Sequence, residues 1–259
     1  MTRTIAVTSQ KGGVAKTTTT ANLGVVWGKG GQRVLCVDLD PQFALTRAFG
    51  CVPSQFPATT LEAMRDAHMA GTAVHKDVAP GVALMPARRE LRSLELTLAA
   101  EVKREEFLSR ALAPLHDDFD VILIDCPPNL GLLTVNALFA AREALVPVSM
   151  LDSGALQGAG EVQATVDALA ARDVPIRLTA LLRTMVEARR LAGHAIDKAL
   201  STIGAPIAAT KIPLRAEFQN ATVVGTPLTV SHPYSVGALA YDRLALELTN
   251  DVLATAVPV

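Results

Sequence analysis

The stretch that decides the fold is SQKGGVAKTT, residues 9–18. It follows a β-branched apolar run at 4–8, which predicts a strand, and it leads into residues 17–29, whose apolar positions have helical spacing. Glycines let backbone N–H groups converge on an anion, and the N-terminus of the following helix adds a favourable dipole. The order strand, loop, helix therefore predicts a phosphate-binding loop.

Individual residues of this loop have separate expected roles. The Lys16 ammonium is expected against the β- and γ-phosphates, and the Thr17 hydroxyl is expected on Mg²⁺. The strict motif G-x-x-x-x-G-K-[ST] has glycine where this chain has Gln10 and Ala15. If Ala15 takes a positive φ, the strain is about 1–2 kcal/mol. A glycine-rich turn that binds nothing is the alternative. The expected nucleotide contacts in the loop are Lys11, Gly12, Gly13, Val14, Ala15, Lys16, Thr17 and Thr18.

Predicted strands and helices alternate along the whole chain. After the first strand and helix, the pattern predicts strands at 33–38, 82–85, 120–125, 144–148, 178–182 and 206–209, and helices at 90–112 and 236–253. This alternation predicts an α/β fold, a mostly parallel twisted sheet with helices on both faces. The phosphate-binding loop at 9–18 indicates the P-loop NTPase type of that fold. Since neither a linker nor a repeat interrupts the pattern, residues 1–259 are expected to form a single domain.

Two of the predicted strands end in acidic residues. Asp38 ends the strand at 33–38, and Asp40 follows two residues later. Asp125 ends the strand at 120–125. Ligands of open parallel sheets bind beyond the carboxyl ends of the strands, so these carboxylates are expected in the crevice beside the phosphate loop. Asp125 fits the Walker B position, where a buried strand delivers one carboxylate to the Mg²⁺ shell. For Asp40-Pro41, a simple turn is the alternative.

The loop sequence KGGVAKTT resembles the deviant Walker A motif of the ParA/MinD family of P-loop ATPases, which has a second lysine ahead of the glycines, here Lys11. The resemblance implies ATP and Mg²⁺ as cofactors and catalytic roles for Lys11, Lys16 and Asp40. Asp40 would position the hydrolytic water, and Lys11 would reach the partner's nucleotide in an ATP-dependent homodimer. The implied Mg²⁺ site consists of Thr17, Asp38 and Asp125.

Two further segments take part in this resemblance. Ile212-Pro213-Leu214-Arg215 resembles a family segment near the adenine, which makes Pro213 a nucleotide-binding candidate. Gln42 is followed by Phe43-Ala44, whereas the family usually has Gly-Asn at these two positions. That departure concerns the loop next to Asp40.

Charge is unevenly distributed along a nearly neutral chain. The formal net charge of −1 excludes a globally basic nucleic-acid binder. Between residues 172 and 215, eight basic and three acidic residues give +5, so the remainder carries −6. This asymmetry indicates a local polyanion-binding surface, with an ordinary solvated helix face as the alternative. The candidate contacts to double-stranded DNA are Arg189, Arg190 and Arg215.

The function expected from these features is a weak DNA-partition ATPase, stimulated by a centromere-binding partner of the ParB type and binding DNA non-specifically. A MinD-like or cargo-positioning ATPase and a small-molecule P-loop synthetase of the dethiobiotin-synthetase kind are the alternatives. Residues 253–259 contain no basic residue, which disfavours the basic amphipathic membrane helix of a MinD-like protein.

Composition sets the remaining expectations. Half of the residues are hydrophobic and 4% are aromatic, so a sizeable aliphatic core is available and disorder is excluded. Three scattered cysteines exclude a disulfide framework. Because no window approaches 18 uninterrupted apolar residues, we expect no membrane-spanning helix. The expected location is the cytoplasm, with the ATP-bound form on the nucleoid.

Overall fold

The computed structural model describes residues 2–152, 154–187 and 191–249, with the backbone alone described for 191–194. In these ranges eight strands form one sheet. The strands are β1 (Arg3–Val7), β2 (Val34–Asp38), β3 (His75–Ala79), β4 (Val82–Met85), β5 (Val121–Asp125), β6 (Glu143–Ser149), β7 (Arg177–Val186) and β8 (Ile207–Pro213). Their spatial order is β3-β4-β2-β5-β1-β6-β7-β8, and all neighbours are parallel except the antiparallel pair β3 and β4.

Helices connect most of these strands. They are α1 (Lys16–Lys29), α2 (Ala44–Ala48), α3 (Thr60–Arg65), α4 (Ala70–Ala73), α5 (Leu91–Leu98), α6 (Phe107–Leu112), α7 (Leu132–Ala140), α8 (Gly154–Ala170), α9 (Leu191–Leu200), α10 (Ala216–Val224), α11 (Leu228–Ser231) and α12 (Val236–Thr249). The predicted α/β class with a mostly parallel sheet is therefore confirmed.

The sheet separates two aliphatic cores, because neighbouring residues of a strand point to opposite faces. In β5, Val121 and Leu123 pack in one core with α1 and α12, whereas Ile122 and Ile124 pack in the other with α5 to α8. Helix α1 approaches the sheet closely at Gly24, where an added Cβ would lie 2.6 Å from the Cys36 sulfur. The absence of a side chain at Gly24 therefore lets the helix that begins at the phosphate loop pack directly on the sheet.

Strand register brings the acidic residues together. β2 and β5 are parallel neighbours in which Asp38 and Asp125 are directly paired positions. β1 lies on the other side of β5 and leads into the phosphate loop, with Val7 paired to Asp125. The order β2-β5-β1 therefore delivers two carboxylates and the loop to one end of the sheet.

The expected single helix at 90–112 is wrong. Two helices, α5 and α6, occupy this segment, and Lys103 between them has φ 56°, which a continuous helix excludes. Val102, which the apolar spacing placed on the buried stripe, is 84% exposed. The edge strand β3 was not expected at all, since its sequence HKDVA lacks an apolar run.

Candidate nucleotide-binding site

The loop between β1 and α1 contains two residues in the left-handed backbone region. Gly13 has φ 73°, which glycine adopts freely. Ala15 has φ 72° and ψ 30° and is the N-cap of α1. An alanine in this conformation costs about 1–2 kcal/mol, so the strain considered for Ala15 is present. The first turn of α1 begins at Lys16, where free N–H groups and the helix dipole favour an anion.

The Lys16 ammonium is withdrawn from solvent beside the acidic groups of the site. The residue is 7% exposed, and Nζ donates a hydrogen bond to the Lys11 carbonyl oxygen at 3.1 Å. Burial lowers the pKa of Lys16 and outweighs the opposing effects of Asp125, Cys126 and Asp40. A desolvated cation gains more from an added anion than an exposed one, because the local dielectric is low. This environment favours phosphate binding at Lys16.

Thr17 and Asp125 link the helix to the sheet. The Thr17 hydroxyl donates a hydrogen bond to Asp125 Oδ2 at 2.7 Å. Asp125 is fully buried, and its Oδ1 has no hydrogen-bond partner among the described residues. Burial raises the pKa of Asp125 well above its ordinary value, and the neighbouring Asp38 raises it further. A buried carboxylate oxygen without a partner is costly, and a hydrated divalent cation would satisfy it.

Asp38 organises the chain that follows β2. Its Oδ2 accepts hydrogen bonds from the Thr46 amide and hydroxyl, both at 2.8 Å, and its Oδ1 accepts one from the Asp40 amide at 3.2 Å. Burial raises the pKa of Asp38 to about 7 against the lowering effect of the Thr46 bonds. Asp38 therefore fixes both α2 and the start of the loop that carries Asp40.

The oxygen ligands of this site suit a Mg²⁺ ion that binds together with a phosphate. Within 2–152, 154–187 and 191–249, no three His, Cys, Asp or Glu side chains converge as a metal cluster. Mg²⁺ typically takes one or two protein carboxylates and completes its octahedron with waters and substrate phosphates. The Thr17 hydroxyl and Asp125 Oδ1, which has no partner in the part of the chain that the structure describes, are oxygen ligands of that kind, with Asp38 in the adjacent strand.

Asp40 begins a tight turn. Its Oδ1 accepts a hydrogen bond from the Gln42 amide and its carbonyl oxygen accepts one from the Phe43 amide, both at 2.8 Å. Phe43, at the position where the resemblance expects glycine, has φ 46°, the left-handed region that glycine adopts freely. The Arg47 guanidinium lies 5.1 Å from the centre of the Phe43 ring. The turn thus has the backbone conformation expected with glycine, and the backbone of Phe43 is strained as a result.

A cavity of about 370 Å³ joins the phosphate loop to the second half of the chain. Asp40 and Pro213 both line it, as do Arg215 and residues that the sequence patterns did not single out. Those further residues include Phe218, Gln219, Thr222 and Tyr241. A volume of this size is in the range of small-molecule sites. No local signal distinguishes these side chains, because Phe218, Gln219 and Thr222 lie on α10 and Tyr241 on α12, far along the chain from the phosphate loop.

Comparisons with known proteins agree with this geometry. A family profile described as an AAA domain matches residues 2–178. Sporulation initiation inhibitor protein Soj of Bacillus subtilis is 33% identical over 250 residues, which cover 96% of this chain and 98% of Soj. Chromosome partitioning protein ParA of Myxococcus xanthus is 31% identical over 248 residues, which cover 95% of this chain and 87% of that protein. The chain belongs to the ParA family of P-loop ATPases.

Solved structures confirm the fold of this ParA-family chain. Cobyrinic acid a,c-diamide synthase from Mycobacterium smegmatis, with bound ADP and magnesium, is 34% identical with a TM-score of 0.84, and the match covers 100% of both chains. The cell division ATPase MinD of Pyrococcus furiosus is 26% identical with a TM-score of 0.80, and the match covers 96% of this chain and 99% of MinD.

The second lysine of the ParA-family motif is engaged within its own chain. Lys11 Nζ lies 3.0 Å from Asp152 Oδ2, and both side chains are nearly half exposed. The hydrogen bond from Lys11 lowers the pKa of Asp152. Exposed ion pairs contribute little to stability because water screens them, so Lys11 can exchange this contact for another anion.

The basic segment at 172–215 is less available than its charge count suggests. Arg183 and Lys211 both pair with Asp197, at 2.9 and 3.5 Å, and Arg177 lies 3.6 Å from Glu143. These ion pairs connect elements of the fold. Asp197 is already counted in the +5, so of these pairs the one between Arg177 and Glu143, which lies outside the segment, offsets part of that charge. Arg215 is exposed. Two of the predicted DNA contacts, Arg189 and Arg190, lie outside the described residues.

Across the ranges that the structure describes, no helix combines the length and the apolar character needed to cross a bilayer.

Proposed function

We propose that this chain is a weak ATP- and Mg²⁺-dependent ATPase whose ATP-bound form dimerises and binds double-stranded DNA non-specifically. A ParB-type centromere-binding protein would stimulate hydrolysis and release from the nucleoid, and residues 1–259 would act as a single ATPase domain. The observation that carries the ATPase proposal is the 2.7 Å bond from Thr17 to the buried Asp125, whose second oxygen lacks a partner among the described residues. Family membership supports the DNA and partner proposals.

Each part of the reaction has a candidate group. The backbone of residues 11–18 and the Lys16 ammonium would bind the phosphates, and Pro213 would contact the base. Thr17 would hold Mg²⁺ directly, with Asp38 and Asp125 binding its waters. Bound Mg²⁺ would neutralise charge on the β- and γ-phosphate oxygens. Asp40, which lines the same cavity, would orient the attacking water.

Lys11 supports the dimerisation proposal. Its contact to Asp152 is weak because both side chains are half exposed to water. A partner's bound triphosphate carries more negative charge than one carboxylate, so Lys11 would exchange Asp152 for that phosphate when two ATP-bound chains meet. The exchange would make dimerisation depend on ATP.

A small-molecule synthetase is the second candidate, since a neighbour of 34% identity is described as cobyrinic acid a,c-diamide synthase. An amide synthase that formed a covalent intermediate on a cysteine would need a reactive thiolate. Cys36 and Cys126 are buried and burial raises the pKa of each, and burial also raises the pKa of the half-buried Cys51. These environments disfavour a nucleophilic cysteine in this chain.

A gel-shift assay on a non-specific DNA duplex with ATP, with ADP and without nucleotide tests the proposal. We expect a shift with ATP alone, since only the ATP-bound dimer presents the DNA surface. Absence of a shift in all three conditions would contradict the DNA proposal. Turnover stimulated by cobyrinic acid, without any response to DNA, would instead support the second candidate.

A further inference from the structure

A buried hydroxyl from the second half of the chain contacts the phosphate loop. Thr184, on β7, is fully buried, and its Oγ1 donates a hydrogen bond to the Val14 carbonyl oxygen at 3.0 Å. The backbone of Thr184 is fixed as well, because its carbonyl oxygen accepts a hydrogen bond from the Met150 amide at 2.9 Å. A residue 170 positions away thus holds one carbonyl of the loop from a rigid strand.

The carbonyl that Thr184 contacts belongs to the peptide plane between Val14 and Ala15. The φ angle of Ala15 is the rotation that immediately follows this plane, and its value is 72°. An alanine resists that rotation because its Cβ crowds the neighbouring backbone, whereas a glycine does not. A hydrogen bond that fixes the plane therefore opposes the tendency of Ala15 to leave the left-handed region.

The remaining contacts near the turn do not replace this bond. Lys16 Nζ bonds the Lys11 carbonyl, three peptide planes earlier, and the Ala15 carbonyl accepts the first helical bond from the Thr19 amide at 2.9 Å. Val14 itself is 1% exposed, so its carbonyl has little access to water. Without the Thr184 hydroxyl, the plane would keep a poorly solvated acceptor and would be free to rotate.

We infer that Thr184 is a positioning residue for nucleotide binding, which holds the phosphate loop in its binding conformation because residue 15 is alanine and not glycine. The inference rests on the proposed function, since it assumes that the loop binds the phosphates of ATP. It has a specific consequence. The hydroxyl is needed with Ala15 and becomes nearly dispensable in an Ala15→Gly variant, because glycine adopts the same conformation freely.

The test measures ATP affinity by calorimetry, with Mg²⁺, in a four-variant cycle of the parent, Thr184→Val, Ala15→Gly and the double variant. Valine keeps the shape of threonine and removes the hydroxyl. We expect Thr184→Val to weaken ATP binding about tenfold in the parent background, the effect of losing about 1.4 kcal/mol, and less than about twofold in the Ala15→Gly background. Thr184→Ser, which keeps the hydroxyl, should retain affinity within about twofold of the parent.

Two results would overturn the inference. An equal loss of affinity in the parent and Ala15→Gly backgrounds would mean that Thr184 acts on general stability and not on this turn. Unchanged affinity in Thr184→Val would mean that the bond does not hold the loop. If Thr184→Val does not fold, Thr184→Cys takes its place, because a thiol is a weaker hydrogen-bond donor than a hydroxyl. We then expect a smaller loss of ATP affinity in the parent background and no loss in the Ala15→Gly background. Failure of the proposed function is distinguishable, because the parent itself would then not bind ATP.

Discussion

Replacing Asp125 with asparagine should stabilise the nucleotide-free protein while weakening its Mg²⁺-dependent binding of ATP. Asparagine keeps the shape and can still accept the bond from Thr17, but it removes a buried negative charge next to Asp38. The gain comes from the removed charge alone, because an amide group at the position of Asp125 Oδ1 also lacks a partner among the described residues. Opposite effects on stability and on ligand binding are expected of a group that destabilises the fold but is needed for binding.

The size of the effect follows from burial. A buried carboxylate charge costs about 1.4 kcal/mol for each unit by which its pKa is raised, and 1 kcal/mol corresponds to about 2–4 °C in Tm for a domain of this length, so removing the charge should raise Tm by at least about 3 °C. The pH dependence has a defined sign. Because the folded pKa of Asp125 lies above the unfolded value of about 4, its ionisation destabilises the fold increasingly as pH rises above that value. The stabilisation should therefore be larger at pH 8 than at pH 5.

Thermal unfolding by circular dichroism, in EDTA and without nucleotide, measures this effect. Asp120→Asn is the matched control, because Asp120 lies at the other end of the same strand region and is exposed. Hydrogen bonds from Arg33 lower the pKa of Asp120 to about 2, so its loss should leave Tm unchanged or slightly lower at pH 8. A fall in Tm for Asp125→Asn, or equal changes at both pH values, would refute the reasoning.

Three further outcomes are expected. Asp40→Ala should bind ATP normally but hydrolyse it about 10²–10⁴-fold more slowly in a phosphate-release assay; normal turnover would exclude its role. Arg215→Glu should weaken DNA binding and reduce the slope of log affinity against log salt concentration by about 0.9. Lys76→Glu, which changes an exposed residue on the edge strand β3, should do neither. Equal effects of the two substitutions would point to net charge alone. Burial acts to raise the pKa of Glu143, but hydrogen bonds from partners including Arg3 outweigh burial and lower the pKa. Glu143→Gln should therefore reduce Tm at pH 7 and have little effect on Tm at pH 3. A larger loss of Tm at pH 3 than at pH 7 would contradict this.

The parts of the site that the sequence predicts are those encoded locally. The loop at 9–18 follows its strand directly and begins its helix, so composition and order suffice to identify it. Asp38 and Asp125 end apolar strands, and the rule that ligands bind at the carboxyl ends of parallel strands brings them to the loop. The structure pairs these two positions in adjacent strands.

The parts that the sequence leaves open depend on packing between distant segments. Asp152 as the partner of Lys11, and Thr184 as the partner of Val14, have no local signature because each contact spans more than a hundred residues. The break between α5 and α6 was missed for a different reason. Val102 continues the apolar spacing but is exposed to solvent, because α5 already ends at Leu98 and the backbone of Lys103 is left-handed.

Titration of ATP in the presence of Mg²⁺, in parallel with EDTA, tests most directly whether these groups form one triphosphate site. The parent should bind ATP more tightly with Mg²⁺, and Lys16→Ala should lose at least about tenfold in affinity while keeping its circular dichroism spectrum, because a charge-assisted bond of about 1.5–3 kcal/mol is removed. Equal ATP affinity in the parent and in folded Lys16→Ala would contradict the assignment of the nucleotide site.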